Sequence, residues 1–234
     1  MDCRDLVRLH LPPIHPHFDV SPTGSFFICQ RVATLRLQQT TLPCTLNCVM
    51  DPLGTLVGTV STDRLRLLAA NFTGSDFACE VARLLYRYRC NYQDHVPTTL
   101  RNHWHVPLQI YHCFSQFLPI STELFASPLN FSGLFPFYWT PYPEDRAFHA
   151  NCDAFASPWN GFSVANPEYD IATMDRAVRW ALLSSSNTSA PTACFFFLPD
   201  WSYKTRTTYI RWFHDSPNYC RPFLRLPSSA FLGG

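Results

Sequence analysis

The chain has 234 residues, 47% of them apolar, which suits one substantial core or a core with a small accessory unit. Its 18 basic and 17 acidic residues leave a net charge of +1. This near balance excludes bulk electrostatic capture of nucleic acid, although a local basic surface remains open.

The amino-terminal residues and the cysteines indicate an intracellular protein without a membrane span. The opening "MDCRDLVRLHLPP" is charged, unlike a signal peptide, and no apolar window is long enough to cross a bilayer. The ten cysteines form no regular framework, so reduced structural thiols are expected. Candidate zinc ligands are Cys44, Cys48, His15, His17, His103 and His105. Because no second close cysteine pair accompanies Cys44 and Cys48, no metal site is predicted.

The first half of the chain is predicted to be an arm followed by a smaller, mainly helical accessory region. Residues 1–24 are rich in proline and histidine and are expected to be extended. Within 25–104, "STDRLRLLAAN" and "SDFACEVARLLYRYRCN" open with helix-capping residues, with Ser75 or Asp76 as the N-cap of the second helix. The segment "SFFICQRVATLRLQ" fits either a strand or a short helix.

Residues 105–234 are predicted to form an α/β domain. After a short helix in "HVPLQIYHCFSQFLP", β-prone segments end in polar or proline-bearing loops: "TELFASPLN", "LFPFYWTPYPEDRAF", "GFSVANPEYD" and "ACFFFLPDW". The segment "IATMDRAVRWALL" has apolar residues on one helical face, and "CFFFL" is typical of a strand buried on both faces. Such strand–helix–strand units build a largely parallel, Rossmann-like sheet with helices on both faces.

The loops after the four predicted strands carry the candidate functional residues. Ligands of open parallel sheets bind beyond the carboxyl ends of the strands. Polar or proline-bearing pairs fall at these ends, namely Ser127-Pro128, Glu144-Asp145, Asn166-Pro167 and Pro199-Asp200. The convergence favours a ligand site at one edge of the sheet.

Asn166 and Pro167 are suited to hold the amine of a flat base. The Asn166 side-chain oxygen and the Pro167 carbonyl can each accept one N–H of an adenine amine, which aims the nitrogen lone pair at a methyl donor. Tyr169 could stack on the base, an interaction worth about 1–3 kcal/mol in single-stranded recognition. The alternative is that Asn-Pro merely starts a turn.

S-adenosylmethionine is the methyl donor that this chemistry calls for. Its loop should follow the first strand of the sheet, in "ELFASPLN", where Ala126 and Ser127 are small and Asn130 can hydrogen-bond a ligand. Glu144 and Asp145, after the second strand, are candidates for the ribose hydroxyls. The alternative for these two acids is a solvated proline turn.

The order and spacing of three motifs resembles the catalytic domain of the phosphorylated CTD-interacting factor family. The motifs are "ELFASPLN", "FSVANPEY" and "FFFLPDW", and the resemblance covers about residues 105–205. It implies a cap-specific adenosine N6-methyltransferase that acts on the 2′-O-methyladenosine beside the mRNA cap. Carried over by motif, the cofactor-binding residues are Glu123, Phe125, Ala126, Ser127, Pro128 and Asn130, with Glu144 and Asp145 in a similar proline-acid segment.

The sequence departs from the family pattern at the catalytic motif. The family's Asn-Pro-Pro-Phe is here Asn166, Pro167, Glu168 and Tyr169, so both predicted amine acceptors are retained while a charge is added. The first hundred residues contain no tryptophan, so no WW module is visible and no docking to the polymerase tail is predicted.

Two further segments carry predictions. "WSYKTRTTYIRW" interleaves rings and cations, which suits capped or single-stranded RNA through Trp201, Lys204, Arg206 and Arg211; a hairpin packed on the sheet is the equal alternative. The near-repeat of "FASPLN" and "FASPWN" is interpreted as chance or a surface turn.

The residues predict an S-adenosylmethionine-dependent adenosine N6-methyltransferase, and the family resemblance implies that it acts on capped mRNA and is located in the nucleus rather than the cytoplasm. The main alternative is an inactive methyltransferase-fold module that binds RNA or protein, which Glu168 favours. A DNA adenine methyltransferase is the third reading, since it uses the same strand-end chemistry.

Overall fold

The computed structural model describes residues 25–37, 40–91, 106–199 and 208–219. The chain divides into two compact units, residues 1–101 and 102–234. The predicted arm at 1–24 and the predicted boundary at 104 lie outside the described residues.

The described part of the first unit contains a three-stranded antiparallel sheet and two helices. The strands are β1 (Phe27–Leu37), β2 (Thr40–Met50) and β3 (Leu56–Ser61), in the order β1-β2-β3. The prediction of a mainly helical region is therefore wrong. The missed signal is the turn after β2, where Asp51 Oδ1 accepts hydrogen bonds from the Leu53 and Thr55 amides and Gly54 has a φ of 79°. An Asp-Pro-x-Gly sequence between β-prone runs is a hairpin signal.

Both helices predicted in this unit are present. Helix α1 spans Thr62–Ala70, and the Ser61 side chain accepts a hydrogen bond from the Arg64 amide. Helix α2 spans Phe77–Asn91, and Asp76 Oδ1 accepts one from the Cys79 amide. The local capping chemistry that predicted these helices therefore forms in the structure.

The described part of the second unit contains a parallel five-stranded sheet with the order β6-β5-β4-β7-β8. Every strand pair in it is parallel. The strands are β4 (Thr122–Leu124), β5 (Phe137–Thr140), β6 (Asn151–Cys152), β7 (Phe162–Ala165) and β8 (Ala193–Phe196). The helices are α3 (Leu108–Phe117), α4 (Ile171–Ser186) and α5 (Thr208–Asp215), with a 3₁₀ helix at Pro143–Phe148.

Helices cover both faces of this sheet. Val164 and Ala165 are neighbours on β7, so their side chains point to opposite faces. Val164 packs in a cluster with Tyr111 of α3, whereas Ala165 packs with Ala177 of α4. The predicted α/β class is confirmed, and the sheet is compatible with a Rossmann-like fold.

The strand order creates a crevice between β4 and β7. From β4 the chain adds β5 and β6 on one side, and it then returns to place β7 and β8 on the other side. Loops that leave β4 and β7 in opposite directions open a crevice at the carboxyl edge, which is where such sheets bind ligands.

Strand β8 differs from its prediction. Its four residues are half-buried instead of buried on both faces, and β8 is the last strand at one end of the described sheet. A run of aromatic and apolar residues cannot by itself distinguish an edge strand from a central one.

The N-cap of α4 provides a test of this fold. Asp170 Oδ1 accepts a hydrogen bond of 2.9 Å from the Thr173 amide. Asp170→Ala should lower the free energy of unfolding by about 1 kcal/mol, whereas Asp170→Asn, which can still cap, should lose much less. Urea denaturation followed by tryptophan fluorescence measures this unit, because all six tryptophans lie beyond residue 101. Equal stability of the alanine and asparagine variants would contradict the capping role.

Candidate functional site at the carboxyl edge of the parallel sheet

The register of β4 and β7 brings the two main predicted motifs together. Leu124 pairs with Ala165, and these are the last residues of their strands. The segment 125–130 and the motif 166–169 therefore leave the sheet side by side, at the crevice between β4 and β7. The predicted proximity of these two segments agrees with the structure.

A buried carboxylate holds the base of the loop after β4. Glu123 is only 5% exposed, and its Oε2 accepts hydrogen bonds from the Ser132 amide at 2.8 Å and the Ser132 hydroxyl at 2.7 Å. The Tyr111 hydroxyl on α3 also hydrogen-bonds Glu123. A buried carboxylate requires such donors. Glu123, predicted to bind the cofactor, therefore has a structural role in closing the loop.

The tip of the same loop is closed by Asn130. Its Oδ1 accepts hydrogen bonds from the Ser127 amide at 2.6 Å and the Ser127 hydroxyl at 3.0 Å. Ala126, Ser127 and Pro128 are buried. The side-chain oxygen predicted to meet the cofactor is thus engaged within the loop, and any contact from this segment falls more naturally to the backbone.

Phe125 begins the loop in an unusual conformation. Its φ is 60°, a left-handed value that costs a non-glycine residue on the order of 1–3 kcal/mol. Its ring makes edge contacts with Phe155 and Trp159, at centroid distances of 5.3 and 5.8 Å. The second copy of the near-repeat, predicted to be chance or a surface turn, therefore packs against the first and stabilises its turn.

The acids after β5 have different environments. Asp145 is fully buried in the 3₁₀ helix, whereas Glu144 beside it is exposed. Of the two residues predicted to bind ribose, Glu144 is the more accessible, and Asp145 is part of the interior.

The catalytic motif lies between β7 and the first turn of α4. Pro167 is buried, Glu168 is exposed and Asn166 is half-buried. Tyr169 is 8% exposed and packs with Met174, Val178 and Tyr209. Its hydroxyl donates to Asn166 Oδ1 at 3.0 Å, a contact that the sequence reading missed.

Two pKa shifts occur in this motif. Burial raises the pKa of Tyr169 to about 12, so the hydroxyl remains a donor at neutral pH. Burial, followed by the charge of Asp170, raises the pKa of Glu168 above its usual value. Because Glu168 is exposed overall, water limits the effect of this shift on stability.

Most of the predicted RNA-binding residues lie outside the described residues, namely Trp201, Lys204 and Arg206. The predicted end of the last strand loop at Asp200 lies outside them as well. Arg211 is exposed on α5, and its Nε pairs with Asp215 Oδ2 at 3.0 Å. Trp212 beside it is 37% exposed and lies under Arg179, with 5.6 Å between the guanidinium carbon and the ring centroid.

The described ranges show neither a cluster of metal ligands nor a membrane-spanning helix. These ranges contain no group of three or more His, Cys, Asp and Glu side chains able to hold a metal ion. Cys48 is buried in β2, and the four histidines weighed for zinc lie outside the described residues. In the same part of the chain, no helix combines the length and apolarity needed to cross a bilayer.

The family model for the phosphorylated CTD interacting factor 1 WW domain matches residues 69–228. The chain belongs to the phosphorylated CTD interacting factor 1 family. This match confirms the resemblance inferred from the loop, Asn-Pro and Pro-Asp-Trp motifs. A search of curated proteins finds no match. The family description names a WW domain and CTD interaction, which runs against the prediction of no docking to the polymerase tail. That prediction was based on the absence of tryptophan from the first hundred residues, and the first tryptophan of the chain is Trp104.

The closure of the loop by Glu123 can be tested by substitution. Glu123→Gln introduces an amide in place of a carboxylate that accepts from Ser132 and Tyr111, and it should destabilise the second unit by about 1.5–3 kcal/mol. The control Glu144→Gln makes the same change at an exposed site and should shift stability by no more than about 0.5 kcal/mol. Urea denaturation measures both variants. A similar loss for both would show that the loop does not depend on Glu123.

The shifted Glu168 predicts a pH dependence. An acid with a raised native pKa binds protons more tightly when folded, so stability falls as pH increases from the usual value of 4.5 through the raised one. Glu168→Gln removes this loss. The variant should therefore be more stable than the parent chain at neutral pH, and the difference should shrink in buffers below pH 4.5. Thermal denaturation across this range tests it; a variant that is less stable at neutral pH would contradict the shift.

Proposed function

We propose that this chain transfers a methyl group from S-adenosylmethionine to the N6 amine of adenosine in RNA, with the cap-adjacent 2′-O-methyladenosine of mRNA as its target. The supporting observation is the pairing of Leu124 with Ala165, which puts the loop at 125–130 beside Asn166 and Pro167. Family membership supports the choice of substrate.

The residues present fit the proposed cofactor in part. The left-handed turn at Phe125 and the small residues Ala126 and Ser127 provide a closed backbone loop at the crevice, and exposed Glu144 follows the neighbouring strand. Glu144 is assigned to the ribose, and the backbone of 125–128 to the rest of the cofactor. When bound, the cofactor would supply an electrophilic methyl group on its sulfonium.

The proposed role of the protein is to position the adenine amine for methyl transfer. In the proposal, Asn166 Oδ1 and the Pro167 carbonyl each accept one hydrogen of the adenine amine, and this directs the nitrogen lone pair away from the ring. Pro167 is buried and its ring fixes φ, which stiffens the turn that carries its carbonyl. Since Asn166 comes one residue after the end of β7, the sheet itself sets its position.

The proposal also assigns a surface for RNA and a cellular location. Arg211 and Trp212 offer an exposed cation and ring on α5, and Trp201, Lys204 and Arg206 precede that helix in the sequence. The nucleus is the proposed location because of the resemblance to this family. A pull-down with phosphorylated CTD peptide would decide between the family description and the predicted absence of docking.

The second candidate is an inactive module with the same fold that binds RNA or protein. The observation that favours it is Glu168, an exposed acid with a raised pKa beside the amine acceptors. RNA binding without methyl transfer in a folded, cofactor-binding chain would select this alternative.

Substitution of Asn166 is the decisive test of the enzyme. Asn166→Ala removes one amine acceptor and should lower the rate of methyl transfer on the order of a hundredfold, by analogy with deletion of one preorganised hydrogen-bonding group. Transfer of labelled methyl is measured on capped RNA with and without the 2′-O-methyl group, on uncapped RNA and on DNA. The RNA with the 2′-O-methyl group should be the best substrate.

The matched control is Asn187→Ala, which makes the same change at an exposed residue at the end of α4 and should leave the rate unchanged. An Asn166→Ala chain that retains the parent rate would remove the acceptor role. DNA as the best substrate would favour a DNA adenine methyltransferase.

A further inference from the structure

Tyr169 contacts Asn166, the residue proposed to accept the substrate amine. Its hydroxyl donates to Asn166 Oδ1 at 3.0 Å, three positions earlier in the chain. The predicted role of this ring was to stack on the base. With 8% of the residue exposed, its surface is largely committed to Met174, Val178 and Tyr209, which leaves little of the ring for a base.

The carboxamide of an asparagine presents an oxygen at one end and an amino group at the other, and the two ends have nearly the same shape. Rotation by 180° would replace the acceptor for an incoming amine by a donor. A fixed hydroxyl donor beside Oδ1 stabilises the orientation in which the oxygen lies toward it. A carbonyl oxygen has two lone pairs, so an asparagine oxygen can accept hydrogen bonds from two donors at once.

The surroundings keep this hydroxyl in place. Tyr169 is immediately followed by Asp170, the N-cap of α4, and its ring packs on two residues of that helix. Burial, followed by the charges of Glu123 and Tyr169, raises the pKa of Tyr111 well above its usual value, so the three side chains share one buried neighbourhood. Since burial raises the pKa of Tyr169 to about 12, the hydroxyl stays protonated at physiological pH.

We propose that Tyr169 is a positioning residue whose hydroxyl holds the Asn166 carboxamide with its oxygen available to the substrate amine. This inference rests on the proposed function for its effect on catalysis. In this inference the Tyr169 hydroxyl acts through a hydrogen bond that is already present before any base is bound.

Tyr169→Phe removes only the hydroxyl oxygen and keeps the buried ring. It should lower kcat about two- to tenfold, the effect of losing one ordinary hydrogen bond, with KM for RNA and affinity for S-adenosylmethionine unchanged. The matched control is Tyr209→Phe. Tyr209 belongs to the same cluster, and its hydroxyl donates to the Pro199 carbonyl at 3.0 Å. This control should lose similar stability and keep the parent kcat.

Nitrogen-15 labelling of asparagine gives a readout that is independent of activity. The side-chain amide signal of Asn166, assigned by its absence in Asn166→Ala, should shift or broaden in Tyr169→Phe and stay unchanged in Tyr209→Phe. If the parent chain transfers no methyl group, the proposed function fails, and this signal still decides whether Tyr169 holds the amide.

Three results would overturn the inference. An unchanged Asn166 signal in Tyr169→Phe would show that the hydroxyl does not orient the amide. A higher kcat in that variant would show that the hydroxyl competes with the substrate for Oδ1. An equal fall of kcat in both phenylalanine variants would reduce the role of Tyr169 to general stability.

Discussion

The pairing of Leu124 with Ala165 is the constraint on which the rest of the second unit depends. It joins β4 and β7 as parallel neighbours in the middle of the described sheet, so that two loops far apart in sequence emerge at one point. Helices pack on both sides of this pair, with Tyr111 against one face and Ala177 against the other. A change of register by one residue would turn the buried side chains of β7 to the wrong faces.

The site built on this pair is stiff and contains little freely available polar chemistry. Side-chain oxygens of Glu123 and Asn130 accept hydrogen bonds from within the loop. The ring of Phe125, which begins the loop in a left-handed conformation, packs against Phe155 and Trp159. Tyr169 is similarly engaged with Asn166. A structure of this kind suits catalysis by orientation, in which preformed hydrogen-bond acceptors accelerate the reaction more than a strong base would.

Local signals in the sequence predicted α1, α2, α3 and α4 because caps and apolar faces are short-range properties, whereas α5 was not predicted and lies where a hairpin was the alternative. The strand-end positions of Asn166 and Pro167 were also predictable, since proline cannot donate to a ladder and is favoured at strand ends and edges. The antiparallel sheet of the first unit was missed because the hairpin signal at Asp51–Gly54, between β2 and β3, was not recognised. The roles of Glu123, Phe155 and Tyr169 were not predictable, since each depends on a partner that only the folded chain brings near.

The departure of this chain from its family pattern lies in two adjacent residues. Glu168 adds an exposed acid, and Tyr169 adds a hydroxyl that occupies one lone pair of the proposed acceptor. The added acid would repel a phosphate placed beside it, whereas the added hydroxyl is the group proposed to orient the amide.

The most direct measurement is ultraviolet cross-linking of the chain to S-adenosylmethionine with a labelled methyl group, followed by peptide mapping. The account predicts saturable labelling within residues 123–132 or 166–170. Labelling confined to the first unit, or labelling that does not saturate, would contradict it.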